Sequence, residues 1–352
     1  VTLQSSLTID LDAIAANWQA LDRASVAGTE TAAVLKADAY GCGASHVALR
    51  LAREGVRTFF TALPEEGKTL RRTLGDGPAI YVFAGYASGH RQCFAENALR
   101  PVLNTARQAS AWLSDMPGAS AALQLDTGMN RLGLEPDEFA RLGPLPGCID
   151  MVMSHLACAD TPDHAQNARQ LACFRELTAG LSARRSLAAT GGILLGADYH
   201  FDLTRPGIGL YGGRPHAGSA RVVRLDVPIL QLRDVAPGET VGYGATWVAD
   251  RPSRIATIAA GYADGLLRTA SNRATAYHDA TPLPFAGRVS MDLIGLDVTG
   301  CPEAAEGEMV EIIGPNQSID KFADAAGTIG YEVLTSLGSR YARSYTGARS
   351  SR

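Results

Sequence analysis

The sequence predicts an α/β fold: a (β/α)8 TIM-type barrel followed by a smaller, mainly β domain. Three observations predict it. In the first part of the chain, short apolar runs alternate with segments of helical spacing. After Arg224 this gives way to short β-prone runs punctuated by turns. And 352 residues exceed the length of about 250 that a barrel usually needs. The expected division is a barrel over residues 1–225 and a β domain over 226–352.

The elements follow in order. Asp12–Ala24 spaces Ile14, Trp18 and Leu21 by four and three residues, a helix ahead of the first strand. Strand candidates then end near Lys36, Leu63, Ala84, Leu103, Asp126, Ser154, Thr190 and Tyr211, eight in all. Between them lie helical segments such as His164–Leu181, where Leu171, Phe174, Leu177 and Leu181 share one face. Apolar strands alternating with amphipathic helices imply a parallel sheet covered on its faces. Eight such units favour a closed barrel, although a miscount of one strand leaves room for an open doubly wound sheet. Beyond Arg224, Ile229–Leu232, Val241–Trp247, Ile255–Ala259 and Met309–Ile313 read as strands, with Pro237-Gly238 and Gly314-Pro315 as turns. Helical spacing returns at Ile319–Ala326 and Val333–Leu337. The Ser/Arg-rich tail from Ser344 to Arg352 is expected to fray.

Composition narrows the class of function. Hydrophobic residues make up 46% of the chain, charged residues 19%, and the formal net charge is −4. That supports a large core, and argues against general affinity for nucleic acid or an anionic membrane. No uninterrupted apolar stretch is long enough to span a bilayer. The N-terminus lacks the basic segment and apolar run of a secretory signal, although a chain starting at Val1 leaves processing open. The six cysteines occur singly, with no CxxC pair and no zinc spacing. They are expected to be mostly buried free thiols in a reducing cytoplasm, and no metal is expected.

Six short stretches carry candidate chemistry. Lys36 closes an apolar run and precedes Ala37-Asp38-Ala39-Tyr40-Gly41-Cys42-Gly43. A lysine at the C-terminal end of a barrel strand faces the mouth, where desolvation would lower its pKa as a Schiff-base lysine requires. The plain alternative is a surface lysine. In Asp126-Thr127-Gly128-Met129-Asn130-Arg131-Leu132-Gly133, Arg131 either forks onto a carboxylate or phenolate or pairs with Asp126 on the rim. His155 follows Ile149–Met153 and is either functional or a hydrogen-bonded structural histidine. Arg205-Pro206-Gly207-Ile208-Gly209-Leu210-Tyr211-Gly212 offers backbone N–H groups and a fixed charge to an anion, or is a strand exit built for packing. Tyr262 lies in Ala260-Gly261-Tyr262-Ala263-Asp264-Gly265, where it packs or serves as an acid/base group. Gly287-Arg288-Val289-Ser290-Met291-Asp292 is too crowded with polar groups for a plain strand.

Taken together, in this order, these stretches resemble the bacterial alanine racemases, pyridoxal-phosphate (PLP) enzymes built from a barrel and a β domain. The resemblance runs from about Leu7 to Tyr345 and rests on VLKADAYGCG, DTGMNRLG, RPGIGLYG, GYADG and GRVSMD. It implies that Lys36 holds PLP covalently until a substrate amine displaces it, and then acts as a base on one face of the α-carbon. It implies Tyr262 as the base on the opposite face, contributed by the second subunit of a homodimer, with His155 beside it. Lys36 would serve the D-enantiomer and Tyr262 the L-enantiomer. Arg205 would face the pyridine nitrogen; a guanidinium keeps its proton, so the ring stays a weaker electron sink and transamination is limited. Tyr40, Thr190, Gly207 and Ile208 align with phosphate-binding positions, as does Ser339 in place of a tyrosine. Arg131 and the backbone N–H of Met291 align with groups that hold the substrate carboxylate, supported from behind by Gln124 and Asp292.

Three departures from the family pattern stand out. Ala189-Thr190 replaces a common Asn-Ser pair, keeping the hydroxyl and losing the amide. Gln124 replaces a lysine that some members carbamylate, and a neutral amide cannot neutralise Arg131. Ser339 replaces the tyrosine. The implied function is L-alanine to D-alanine racemisation in the cytoplasm, feeding peptidoglycan precursors or D-alanine catabolism. The alternatives are a broad-specificity or serine-preferring racemase, a decarboxylase on a related barrel, and a non-catalytic PLP-binding protein. The second domain carrying Tyr262 counts against the last two.

Overall fold

The computed structural model describes residues 4–347. They form two compact units. One comprises Ile14–Leu210 with Arg214–Ser219; the other comprises residues 4–13, Tyr211–Gly213 and residues 220–347. The expected boundary at 225/226 falls inside a strand of the second unit, Val223–Val235. That unit also takes the first strand of the chain, Ser6–Asp10, where only Leu7 and Ile9 are buried, in alternation.

In the first unit seven parallel strands curl in sequence order: Ala33–Val34, Thr58–Thr61, Ala79–Val82, Arg100–Leu103, Ala121–Gln124, Ile149–Met153 and Arg184–Ser186. Thr58–Thr61 and Ala121–Gln124 are buried along their whole length, as strands covered on both faces must be. An eighth, Leu203–Thr204, pairs in parallel with Glu30–Thr31. Backbone bonds beyond the ladders close the ring. Asp202 N–H donates to Arg185 O (3.0 Å) and Arg205 N–H to Ala188 O (2.8 Å) on one side. Ala32 N–H donates to Thr204 O (2.9 Å) and Val34 N–H to Pro206 O (3.0 Å) on the other. The barrel expectation is thus met.

Two strand ends differ from expectation. Thr190 opens a short helix, Thr190–Leu194. Tyr211 ends a 3-10 turn, Ile208–Tyr211, and Pro206 ahead of it has no N–H with which to extend the ladder. The helix expected to reach Leu181 is Ala165–Leu177. Thr178 Oγ1 bonds back to Phe174 O at 2.6 Å, and Gly180 at φ +75° turns the chain away.

The second unit is built on Val223–Val235, a strand long enough to serve three neighbours. Its first half pairs antiparallel with Met309–Ile313 and with Ser6–Asp10, and its second half with Ser253–Ile258. Thr275–His278, Thr281–Pro284 and Ile294–Asp297 complete the pairing and escaped the sequence reading. The expected strand Val241–Trp247 is instead a loop: Thr240–Val241 pairs with Trp247–Val248 around a turn at Tyr243–Ala245, where Gly242 and Gly244 take positive φ. The fraying expected from Ser344 is corrected as far as Thr346. Ala342–Thr346 lies parallel to Ser6–Asp10, with Thr8 and Ser344 hydroxyls 3.0 Å apart. Residues 348–352 of that tail lie outside the described residues.

All six cysteines are free thiols, but only Cys42 and Cys301 are buried; the other four are half-buried, which corrects the mostly buried expectation. Cys93 and Cys173, for instance, sit on helix flanks open to solvent on one side. No helix among the described residues is long and apolar enough to cross a membrane.

Candidate active site

Lys36 begins a turn of unusual backbone. Ala37, Asp38, Ala39 and Tyr40 all take φ between +52° and +56°, one turn of left-handed helix made without glycine. Such a conformation costs about 1–2 kcal/mol per residue, so the surroundings must impose it. Glu66 Oε1 accepts Ala37 N–H (2.7 Å), Asp38 Oδ1 accepts Ala44 N–H (2.7 Å), and Gly41 N–H reaches Ala37 O (2.8 Å). The half-buried Lys36 has its ammonium pulled below the ordinary lysine range, by burial first and by the Arg131 charge second, with Glu66 opposing. Phe83 supplies an apolar wall, its ring centroid 6.0 Å from Nζ.

Arg205 is only 2% exposed. Its Nη1 donates to Ser186 Oγ, and its Nη2 donates to Ser154 O at 2.7 Å and Leu187 O at 3.5 Å. Burial draws the guanidinium down to about 9, which still leaves it charged at neutral pH. Nε has no acceptor among the described residues, so one donor of the fork is free for a ligand. Behind it runs a polar network the sequence reading missed. The hydroxyls of Ser154 and Thr127 are 2.8 Å apart, and buried Gln170 donates to Thr127 Oγ1 (3.2 Å) and His155 O (2.9 Å).

His155 is half-buried and pushed down to about 3, by burial first and then by the charges of Arg205, Arg131 and Lys36. It is therefore a neutral imidazole at physiological pH. Lys36, Arg131, His155 and Arg205 are thereby brought into one electrostatic cluster. Arg131 does not pair with Asp126. That carboxylate is occupied by the N–H groups of Gly128, Met129 and Asn130 at 2.8–3.2 Å, which shapes the loop. The exposed Arg131 guanidinium meets no hydrogen-bond acceptor among the described residues, the Gln124 amide included. Gln124 is buried at the end of its strand, held through its backbone carbonyl by Leu134 N–H.

Tyr40, Thr190, Gly207 and Ile208 also converge. A Cβ at Gly207 would strike the Tyr40 hydroxyl, so a larger residue there would have to displace the tyrosine. The expectation that Gly207 N–H is open to an anion needs correction. It donates to Thr190 Oγ1 (3.1 Å), as does Gly209 N–H (3.2 Å). Both lone pairs of that hydroxyl are then used, and its one proton is left to donate outward.

The remaining predicted residues lie in the second unit. Tyr262 is 44% exposed on a 3-10 turn, Tyr262–Asp264. Its N–H donates to Ser290 O and that of Ala263 to Met291 O, both at 3.0 Å, which joins the GYADG and GRVSMD stretches. A Cβ on Gly261 would overlap both of those carbonyl oxygens. Met291 is exposed. Arg340 bridges Asp264 (3.0 Å) and Asp292 (2.7 Å), and Asp264 also accepts Gly261 N–H at 2.9 Å. The sequence reading named Asp292 but missed Asp264 and Arg340. Ser339 is exposed beside Arg340.

The alanine racemase N-terminal domain model matches residues 9–215, and the C-terminal domain model matches residues 222–345. The chain belongs to the alanine racemase family. It is 55% identical to an alanine racemase of Dinoroseobacter shibae, over 97% of this chain and 98% of that protein. Among solved structures it resembles the Bartonella henselae alanine racemase with covalently bound pyridoxal phosphate. The TM-score is 0.93 at 39% identity, covering 98% of this chain and 100% of that one. The biosynthetic alanine racemase of Pseudomonas aeruginosa gives 0.92 at 36% identity, covering 98% of this chain and all of that chain. The family depends on PLP, and the residues here fit it. A lysine of lowered pKa, the free Arg205 Nε and the outward-donating Thr190 hydroxyl are the donors an aldehyde, a pyridine nitrogen and a phosphate require.

Proposed function

We propose that this chain interconverts L- and D-alanine by a two-base mechanism, with Lys36 serving one face of the α-carbon and Tyr262 the other. The reaction is an isomerisation with PLP as cofactor, in keeping with the family. When bound, PLP supplies the electron sink that makes the α-proton removable. The observation that carries the reading is the Lys36 turn: a strained backbone, imposed by Glu66 and Asp38, holds an amine of lowered pKa among Arg131, His155 and Arg205. Inversion needs two bases on opposite faces, one taking the proton and the other returning one.

Each residue then has a task. Lys36 binds the cofactor and takes or returns the proton on the D side. Tyr262, contributed by a second copy of the chain, does so on the L side, so the working form is a homodimer. Its ordinary pKa of about 10 makes it a poor base alone, and the neutral His155 can orient its hydroxyl. Arg205 donates from Nε without giving up its proton. Tyr40, Thr190, Ile208 and Ser339 hold the phosphate, with Gly207 placing Thr190. Arg131 and Met291 N–H hold the substrate carboxylate, with Gln124 and Asp292 behind them. Cysteines outside any disulfide accord with a reducing cytoplasm as the site of action.

The test follows α-proton exchange in heavy water with L- and D-forms of alanine, serine and lysine. Exchange fastest with alanine supports the reading; faster exchange with serine would replace the substrate, and no exchange in the PLP-loaded enzyme would sink it. In Tyr262→Phe, D-alanine should still exchange its proton through Lys36 while L-alanine does not, and inversion should fall by about 10²–10⁴-fold. Unchanged inversion would remove Tyr262 from its role.

A further inference from the structure

His278, Cys301 and Glu303 place one ligand atom each within 4.8 Å of one another in the second unit. None belongs to the catalytic set. His278 ends the strand Thr275–His278, and the other two lie on the turn that follows Val298. We propose that these three side chains form a zinc site, with solvent as the fourth ligand. Three observations carry it.

The first is the spacing. Cys301 Sγ is 3.7 Å from His278 Nδ1. Zinc bonds of about 2.3 Å to sulfur and about 2.0–2.1 Å to nitrogen, at a tetrahedral angle, set those atoms about 3.6 Å apart. The metal therefore fits between them with little movement.

The second is the tautomer. His278 Nε2 is 3.1 Å from Glu308 Oε2, a carboxylate that also accepts Ala305 N–H at 2.9 Å. A carboxylate can only accept, so Nε2 carries the proton and the Nδ1 lone pair faces Sγ. A carboxylate on the far nitrogen is the usual support of a metal-bound histidine. Without metal, the single thiol proton is shared between two acceptors, His278 Nδ1 and the Glu303 carboxylate. Zinc displaces that proton to solvent, leaving a thiolate and an imidazole on the ion.

The third is the grading of burial and the donor set. Cys301 is buried, the His278 side chain 13% exposed and Glu303 exposed, so the site opens to solvent on the Glu303 side. Thiolate, imidazole and carboxylate together suit zinc and not magnesium or calcium. The loop is fixed from outside by Arg254, whose Nη1 donates to Pro302 O at 3.1 Å. The cysteine spacing along the chain does not announce this site, because its histidine comes from a separate hairpin.

The experiment uses untagged, PLP-loaded enzyme stripped of metal and titrated with zinc alone, with dialysis stoichiometry and zinc X-ray absorption as readouts. One zinc per chain, with one sulfur at about 2.3 Å and otherwise nitrogen or oxygen neighbours, is expected. Cys301→Ser should lose the sulfur neighbour, and the surface variant Glu308→Gln should bind zinc about 10–100-fold more weakly. Zinc should also raise the Tm of the wild type and not that of Cys301→Ser. A spectrum without sulfur, or equal zinc affinity in wild type and Glu308→Gln, would overturn the site.

Discussion

Arg205 donates Nη2–H to the carbonyl of Ser154 at 2.7 Å, and through Ser154 it is tied to the loop that carries Arg131. The guanidinium is thus fixed by main-chain oxygens and the Ser186 hydroxyl, and no carboxylate among the described residues bonds to it. Arg205→Met should leave those acceptors bare in a buried site. At about 1–3 kcal/mol for each unsatisfied group, the variant should lose roughly 2–5 kcal/mol, read as a lower urea midpoint at constant m-value. Arg205→Lys should recover part of the loss; a wild-type midpoint in Arg205→Met would contradict this account.

Arg131 is the second cause, after burial, of the lowered Lys36 pKa. Removing its charge in Arg131→Gln should therefore raise that pKa. Only the neutral amine can bond PLP. In the cofactor-free protein, the pH profile of PLP recapture should shift to higher pH in the variant, with the plateau rate at high pH unchanged. A profile identical to wild type, or one shifted to lower pH, would show that the Arg131 charge does not reach Nζ.

For His155 the sign can be worked through. Its pKa is pushed down to about 3 in the folded chain, against about 6.5 when unfolded. Between those values the unfolded state binds the extra proton. The neutral imidazole thus costs nothing above pH 6.5, and stability falls as pH drops from there towards 3. The slope attributable to this residue approaches about 1.4 kcal/mol per pH unit at most. His155→Asn should flatten the stability profile between pH 6 and 4 by roughly that amount, as measured by urea titrations at each pH; parallel profiles would refute it.

What the sequence made legible depended on repetition and spacing. The barrel strands could be read because each is short, apolar and followed by a helical face. Ser6–Asp10 was missed because five residues with only Leu7 and Ile9 buried look like a lead-in to the helix. The residues at the barrel mouth were recognised through motif order, but their geometry was not. Nothing in Ala37-Asp38-Ala39-Tyr40 announces a left-handed turn, since its cost is met by Glu66 from another helix. Likewise, Thr190 was read as a phosphate ligand, yet its role in taking up Gly207 and Gly209 N–H depends on a contact across 17 residues. Partners brought together by tertiary structure, such as Arg340 with Asp264, leave no local trace.

Gln170 shows what that tertiary layer does. It is fully buried, with both Nε2 protons used, on Thr127 Oγ1 and His155 O, and with Oε1 accepting Ala157 N–H at 2.8 Å. One side chain on Ala165–Leu177 therefore locks both the loop leading to Arg131 and the segment carrying His155. Gln166 adds a second tie, from its amide to Gly128 O at 2.9 Å. Gln170→Leu keeps the bulk and removes all three bonds, leaving His155 O and Ala157 N–H bare, a loss of about 2–4 kcal/mol. Because Gln170 works through these segments, cofactor binding should survive while catalysis weakens. We expect an unchanged PLP absorbance and a kcat lowered on the order of tenfold or more, as displaced catalytic groups produce. Gln170→Glu cannot donate, so it should fail at least as badly, despite retaining an acceptor for Ala157. Equal kcat in wild type and Gln170→Leu, with stability reduced, would mean that the network supports the fold alone.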